Sequence, residues 1–433
     1  MKARNVLVFP AGTEIGLEIH QALQQCKEVV LHGAGQPISN HAPFVYQRYH
    51  SLPSINEPGW LEALVDLCRD LAIDYIFPAY DDVIVALALH RTEIPATVLT
   101  ASDEVCELTR SKSQTYGRLG ATVRVPRLYS PKDAKTFPLF VKPDRGQGSQ
   151  GAQLVRDAVE LAVATGEIRD PIVCEYLPGE EYTVDCFSDR EQGVLFCGAR
   201  VRLRMRNGIA VHTLSVDLDG VQAIAVRIHE SLGMRGAWFF QLKRAADGEL
   251  ALLEVAPRIA GSMSTHRVQG VNFPLLTIFE HERLALKLLT LPMRVELDRA
   301  LHNRYRLDIQ YEALYIDLDD TLLLGDMVNI AALQLVFMCV NRKIPVTLIT
   351  RHDGNLDRTL RKHRLTGLFD EIIHLDRSQR KSEFIRQKNA IFLDDSFSER
   401  LDVHERCGIP TFDCSMLEAL ISNHPSDMTR NKT

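Results

Sequence analysis

Short apolar runs alternate with helical periodicity along the first hundred residues. Asn5–Phe9 reads as a strand, a helix follows over about Gly16 to Cys26, EVVLHG and DYIFPAY read as further strands, and Trp60–Leu71 as a second helix. Strands that alternate with helices imply a parallel sheet covered by helices on both faces. The next stretch opens with helical pattern and then becomes strand-rich: FPLFVKP, PIVCEYL, EYTVDCF and GVLFCGARVRL, then WFFQLKR and ELALLEVAPR around Asp247-Gly248. Asp-Gly between two alternating runs is a hairpin signal, because glycine tolerates the positive φ such turns require. The chain then turns charged and irregular before YEALYIDLDD restarts the strand–helix alternation. The expected class is α/β throughout, with a Rossmann-like domain over 1–104, an α+β domain over 105–295, a linker over 296–310 and a second Rossmann-like domain over 311–433.

Composition narrows the function. The 433 residues are 45% hydrophobic and 24% charged with a net charge of −6, which argues against a nucleic-acid partner held by bulk charge. Apolar runs such as Val83–Leu89 fall far short of the roughly 20 residues that span a bilayer. Pro10 and Gly12 interrupt the apolar start too early for a signal-peptide core. Nine cysteines with no Cys-x-x-Cys pair fit reduced thiols, so a soluble cytoplasmic protein without membrane partners is expected.

The turn Pro10–Gly16 lies between strand and helix and reads either as a tight connection or as a phosphate-binding turn. A stronger signal is FPLFVKPDRGQGSQG, in which a strand delivers Lys142 and a loop carries Gly146, Gly148, Ser149 and Gly151. Loop amides can wrap phosphate oxygens while the lysine adds a point charge. In IVCEYLPGEEY, Glu175 ends an apolar strand and Glu181 follows a Pro-Gly turn; they suit an adenine amino group and ribose hydroxyls, or are ordinary solvated strand ends. Gln241 and Glu254 lie on the two hairpin arms and can face one another as oxygen donors to a phosphate-bound cation. Arg258 offers a planar fork to a phosphate or carboxylate. Arg200, Arg202, Arg204 and Arg206 alternate and are expected on one strand face, either solvated or turned to an anion. His266 reads as a structural residue or part of an acceptor pocket.

These motifs, in this order, resemble the ATP-grasp superfamily over about residues 1–290, and Gln241 resembles its carbamoyl-phosphate-synthetase branch. Some ATP-grasp proteins of tellurium-resistance gene clusters look similar. The resemblance implies that Lys112 and Lys142 bind ATP phosphates. It gives Gly148 and Ser149 to the phosphate loop, Glu175, Tyr176 and Leu177 to adenine, Glu181 to ribose, and Gln241 and Glu254 to Mg²⁺, with Mn²⁺ the alternative. It further implies an ADP-forming ligase joining a carboxylate to an amine through an acylphosphate. The chain departs from the family at Ala256, which stands where an asparagine ligand is usual in Glu-x-Asn-x-Arg.

The last domain carries a second chemistry. ALYIDLDDT ends a strand in Asp317 and Asp319 on one face, VTLIT ends in Thr350, Lys381 opens a helical run, and AIFLDD ends in Asp394 and Asp395. Paired carboxylates at a strand end can supply a nucleophile and a proton donor for phosphoryl transfer. Asp320 reads as an acidic helix cap. This order resembles the haloacid dehalogenase superfamily over about 311–420. The resemblance implies Asp317 as nucleophile, Asp319 as general acid/base, Thr350 and Lys381 as phosphate stabilisers, and Asp317, Asp319, Asp394 and Asp395 around Mg²⁺. Only 31 positions separate Asp319 from Thr350, which leaves little room for a cap domain. A bifunctional ligase and phosphatase acting on a small carboxylate, an amine and a phosphorylated metabolite is the resulting expectation. A nucleotide-binding module beside a phosphatase and an ATP-responsive sensor stay open, as do monomer and homodimer.

Overall fold

The computed structural model describes residues 3–146 and 150–422. The chain forms two compact units, 1–301 and 302–433. In the first, β1 (Arg4–Phe9), β2 (Val29–Gly35), β3 (Tyr49–Ser51), β4 (Tyr75–Pro78) and β5 (Thr97–Val98) make a parallel sheet in the order β3-β2-β1-β4-β5. The turn after β1 is tight. Thr13 caps the helix Glu14–Leu23 by accepting from the Gly16 N–H at 3.0 Å, and a Cβ on Gly16 would lie 2.4 Å from the Ala11 carbonyl oxygen.

Two antiparallel sheets follow. β6 (Leu128–Tyr129), β7 (Leu139–Pro143), β8 (Gln153–Val155) and β9 (Pro171–Glu175) assemble as β6-β9-β7-β8. β10 (Glu181–Asp189), β11 (Gly193–Arg206), β12 (Ile209–Val216), β13 (Gly236–Arg244), β14 (Leu250–Ala256) and β15 (Glu296–Asp298) assemble as β14-β13-β10-β11-β12-β15. Alternation along β10 and β13 puts Val184, Cys186, Trp238 and Phe240 into a core against the helix Val221–Leu232. Each such large side chain contributes roughly 1.5–3 kcal/mol by leaving water. The opposite face carries Thr183, Gln241 and Arg200.

The expected boundary at 104/105 falls inside a continuous core, since Val6, Val8 and Phe77 pack in one cluster with Phe239, Phe273 and Ile278. The expected linker is structured at both ends. Glu296–Asp298 pairs antiparallel with β12, while Leu307 and Ile309 pack on the core of the second unit. Alternating charge with single apolar residues is how a half-exposed edge strand reads, and no apolar run marks it.

The second unit is a parallel sheet. β16 (Ala313–Ile316) is central, a small hairpin of β17 (Leu323–Leu324) and β18 (Met327–Val328) follows, and β19 (Val346–Thr350), β20 (Glu371–His374), β21 (Ala390–Leu393) and β22 (Thr411–Phe412) complete the order β20-β19-β16-β21-β22. Only the hairpin and the helix Ile330–Asn341 lie between β16 and β19. Asp320 caps no helix; it takes a left-handed turn at φ 55°, and Asn329 is the residue that caps Ile330–Asn341. Lys381 opens a single 3₁₀ turn, Lys381–Phe384, in place of a longer helix. All nine cysteines are free thiols. No helix among the described residues is long and apolar enough to cross a membrane.

Candidate active sites

In the first unit one cavity of about 480 Å³ is lined by Lys112, Lys142, Glu175, Tyr176, Leu177, Glu181, Gln241, Glu254 and Arg258. That volume is in the range of small-molecule sites. Gly146 of the expected phosphate loop lines it too, Gly151 does not, and Gly148 and Ser149 lie outside the described residues. Strand register explains the convergence. β13 pairs Gln241 with Glu254, β10 pairs Thr183 with Gln241, and β11 pairs Arg200 with Thr183, so four polar side chains form one row across the sheet. Glu254 and Gln241 in that row are hard oxygen donors of the kind Mg²⁺ takes. Ala256, two residues on, is buried beside Phe239 and adds no oxygen.

The cationic groups are held in place. Lys142 is buried and donates to Tyr116 Oη at 2.9 Å, and Tyr116 in turn donates to the Leu253 carbonyl at 2.8 Å. Lys112 donates to the Gly146 carbonyl at 3.0 Å, and burial, which outweighs nearby Glu254, lowers its pKa. Arg258 Nε donates to Asp81 at 2.5 Å and its guanidinium lies 4.9 Å from the Phe239 ring centre. Burial pushes the Asp81 carboxyl up, but Arg258, Arg110 and Lys112 together hold it below the usual range.

Two acidic residues are already engaged. Glu175 accepts from Arg124 at 3.1 Å and from the Arg127 N–H at 3.3 Å, so an amino group would have to compete with Arg124 for the carboxylate. Glu181 pairs with Arg202, which also donates to Gln241 Oε1 at 3.0 Å. The four arginines of β11 do not share one environment. The register shifts between Arg202 and Arg204; Arg200 and Arg202 line the cavity, whereas Arg204 pairs with Asp298 at 2.7 Å at the exposed edge. His266 is buried on Asp185 at 2.8 Å, a structural place. Asp185→Ala would strand the buried Arg200 charge and is expected to destabilise the first unit by about 3–5 kcal/mol, measured by urea unfolding.

In the second unit the carboxyl ends of β16, β19 and β21 bring Asp317, Thr350 and Asp394 together. Carboxylate oxygens of Asp317, Asp394 and Asp395 lie within 4.8 Å of one another, a set that suits a hard divalent cation. Lys381 reaches between two of them, 2.7 Å from Asp317 and 2.6 Å from Asp394. Burial raises the Asp317 pKa despite Lys381, and burial with the Asp317 charge pushes Asp394 up to about 6 against the pull of Lys381. Thr350 Oγ1 is buried and steadies the Asp317 charge, but makes no hydrogen bond of good geometry. Asp319 does not join the acidic set. Its half-exposed carboxylate accepts from His352 Nδ1 at 2.9 Å, and His352 Nε2 meets Thr359 Oγ1 at 2.8 Å. β16 ends at Ile316, so Asp319 stands three residues past the strand, where alternation no longer sets its face and the chain is turning toward solvent.

Sequence reasoning missed Tyr116, Asp81 and His352. Tyr116 had a signal, being four residues after Lys112 on one helix face. Asp81 had none, since it reaches Arg258 across 177 positions.

Residues 167–295 match a family model described as ATP-grasp in the biosynthetic pathway with Ter operon. D-alanine–D-alanine ligase of Fusobacterium nucleatum is 27% identical over 149 residues, 31% of this chain, and the match spans half the length of that relative. Among solved structures, the biotin carboxylase domain of Hydrogenobacter thermophilus 2-oxoglutarate carboxylase, determined with MgADP and bicarbonate, superposes with a TM-score of 0.57 at 16% identity, covering 66% of this chain and 71% of that one. N5-carboxyaminoimidazole synthetase of Staphylococcus aureus, complexed with ADP, gives 0.56 at 15% identity over 67% and 81%. The chain therefore carries a mixed α/β fold of the ATP-grasp kind.

Proposed function

We propose that the chain joins two activities: an ADP-forming carboxylate–amine ligase in the first unit and a phosphomonoester hydrolase of the haloacid dehalogenase type in the second. The observation that carries the first is the convergence of Lys112, Lys142, Gln241, Glu254 and Arg258 on one cavity. Lys112 and Lys142 neutralise the triphosphate of ATP, Leu177 packs on the base, and the backbone at 175–177 reads its edge while the Glu175 side chain stays with Arg124. Arg258 orients the carboxylate. A carboxylate oxygen attacks the γ-phosphorus, the bond to the ADP oxygen breaks, and an amine then displaces phosphate from the acylphosphate. The ADP carried by similar structures supports ATP as co-substrate, and the paired oxygens of Gln241 and Glu254 fit Mg²⁺ or Mn²⁺. Hydroxylamine, which traps acylphosphates as hydroxamates, supplies the test: ATP-dependent hydroxamate from a panel of acids is expected, and ADP never forming across that panel would reject the ligase.

In the second unit Asp317 attacks phosphorus and the ester P–O bond breaks; Asp319, oriented by His352, acts in its protonated form, gives that proton to the leaving oxygen and takes one back from the water that follows. Water then hydrolyses the aspartyl phosphate. A cation held by Asp317, Asp394 and Asp395 would draw charge from the phosphate oxygens. Chelation with EDTA is expected to remove p-nitrophenyl phosphate hydrolysis and added Mg²⁺ to restore it; hydrolysis that persists after exhaustive chelation would contradict the assignment.

Ala256 and the Arg202 bridge between Glu181 and Gln241 favour one second reading, a module that binds nucleotide without turnover. Mg·ATP binding by calorimetry without ADP release would select it.

A further inference from the structure

The cavity wall of the first unit carries buried guanidinium nitrogens to which the ligase reading gives no task. Arg200 Nη1, Arg202 Nε and Arg299 Nη1 line its wall or belong to residues that do, and each is buried without a hydrogen-bond partner. Arg200 is 2% exposed, and its fork is fixed from behind: Nε and Nη2 donate to Asp185 at 2.9 and 3.1 Å. Asp185 is fully buried and also held by His266, so it locks the orientation of the arginine and leaves the third nitrogen over. Arg299 follows β15, anchored by its own N–H to the Val211 carbonyl at 2.7 Å. A Cβ on Gly261 would lie 3.4 Å from Arg299 Nη1, so the glycine makes room for the guanidinium.

Asp185 balances the Arg200 charge and leaves its Nη1 to the cavity, whereas Arg299 makes no ion pair among the described residues. Burial lowers the pKa of Arg299 and the Arg200 charge lowers it further, with Glu14 and Glu18 opposing; Glu18 is already bound to Arg267 at 2.7 Å. Arg258, by contrast, is balanced by Asp81 and lies over the Phe239 ring of β13. Two buried guanidinium nitrogens on one cavity wall, separate from the Arg258–Asp81 pair, form a second anion subsite.

We infer that Arg200 and Arg299 read a second anionic group on the acid substrate, so that the ligase takes acids with two anionic ends. This rests on the ligase reading of the same cavity, with Arg258 on the reacting carboxylate. The second group is a carboxylate or a phosphoryl group, since both fit a guanidinium pair.

The test is calorimetry on the full chain, with and without Mg·ADP, using three ligand sets of matched length: C4–C6 dicarboxylates, phosphonocarboxylates and monocarboxylates. At least one dianionic set is expected to bind tenfold or more tighter than the monocarboxylates, and which set does so identifies the group. Arg299→Gln is expected to erase that preference while leaving the affinity for Mg·ADP within about twofold; a thermal melt of the variant checks its fold. Equal binding of all sets, binding of none, or a loss of Mg·ADP affinity in place of acid affinity would overturn the inference. Hydroxamate assays separate the two readings. Dianionic acids that bind through Arg299 yet give no hydroxamate would reject the ligase and leave the subsite standing, whereas monocarboxylates converted as well as diacids, with no effect of Arg299→Gln, would do the reverse.

Discussion

Lys142→Ala is expected to cut ATP-dependent hydroxamate formation by about 10²–10³-fold, the usual loss when one fixed donor is taken from a developing charge. The residue sits on β7 with its ammonium held by Tyr116, so its position does not depend on the bound nucleotide. Alanine removes the point charge while Tyr116 keeps its bond to the Leu253 carbonyl. Phosphomonoester hydrolysis in the same variant is expected to stay at the wild-type rate, because Lys142 belongs to the first unit and Asp317 to the second. ADP release and p-nitrophenol release, assayed on one preparation with a thermal melt as folding control, give both readings.

Asp317→Asn is expected to produce the opposite pattern, with hydrolysis falling by at least about 10³-fold and hydroxamate formation unchanged. Asparagine keeps the shape of the side chain but cannot attack phosphorus as a carboxylate. Lys381 keeps its contact with Asp394 in this variant, so the buried ammonium is not stranded. Folding should therefore survive, and a loss of hydrolysis would report on chemistry. Retained hydrolysis would mean that another residue attacks.

What the sequence made legible follows from period and position. Asp317, Thr350 and Asp394 each stand at the end of an apolar run, and in a parallel sheet the ends of neighbouring strands lie side by side, so three dispersed motifs predict one site. Gln241 and Glu254 were legible for a related reason: a hairpin turn at Gly248 sets their register, even with a bulge after Gln241. Arg204 was misread because a bulge in β11 interrupts the alternation that would have aligned it with Arg200, and no local pattern announces that bulge. The partners of the site residues were the least legible. Asp81, Arg124 and His352 reach their contacts through the fold from distant or unremarkable positions, and their types are common on any surface. β15 was hidden by its own composition, since three residues with two charges carry no apolar run.

The two proposed activities require two separate cation-assisted phosphate sites in one chain. A crystal structure of the full chain grown with Mn²⁺ and a non-hydrolysable ATP analogue tests this most directly. Anomalous density is predicted in two places, beside Gln241 and Glu254 with the triphosphate on Lys112 and Lys142, and among Asp317, Asp394 and Asp395. Analogue bound away from the Lys142 cavity, or the three aspartates left without manganese, would contradict it.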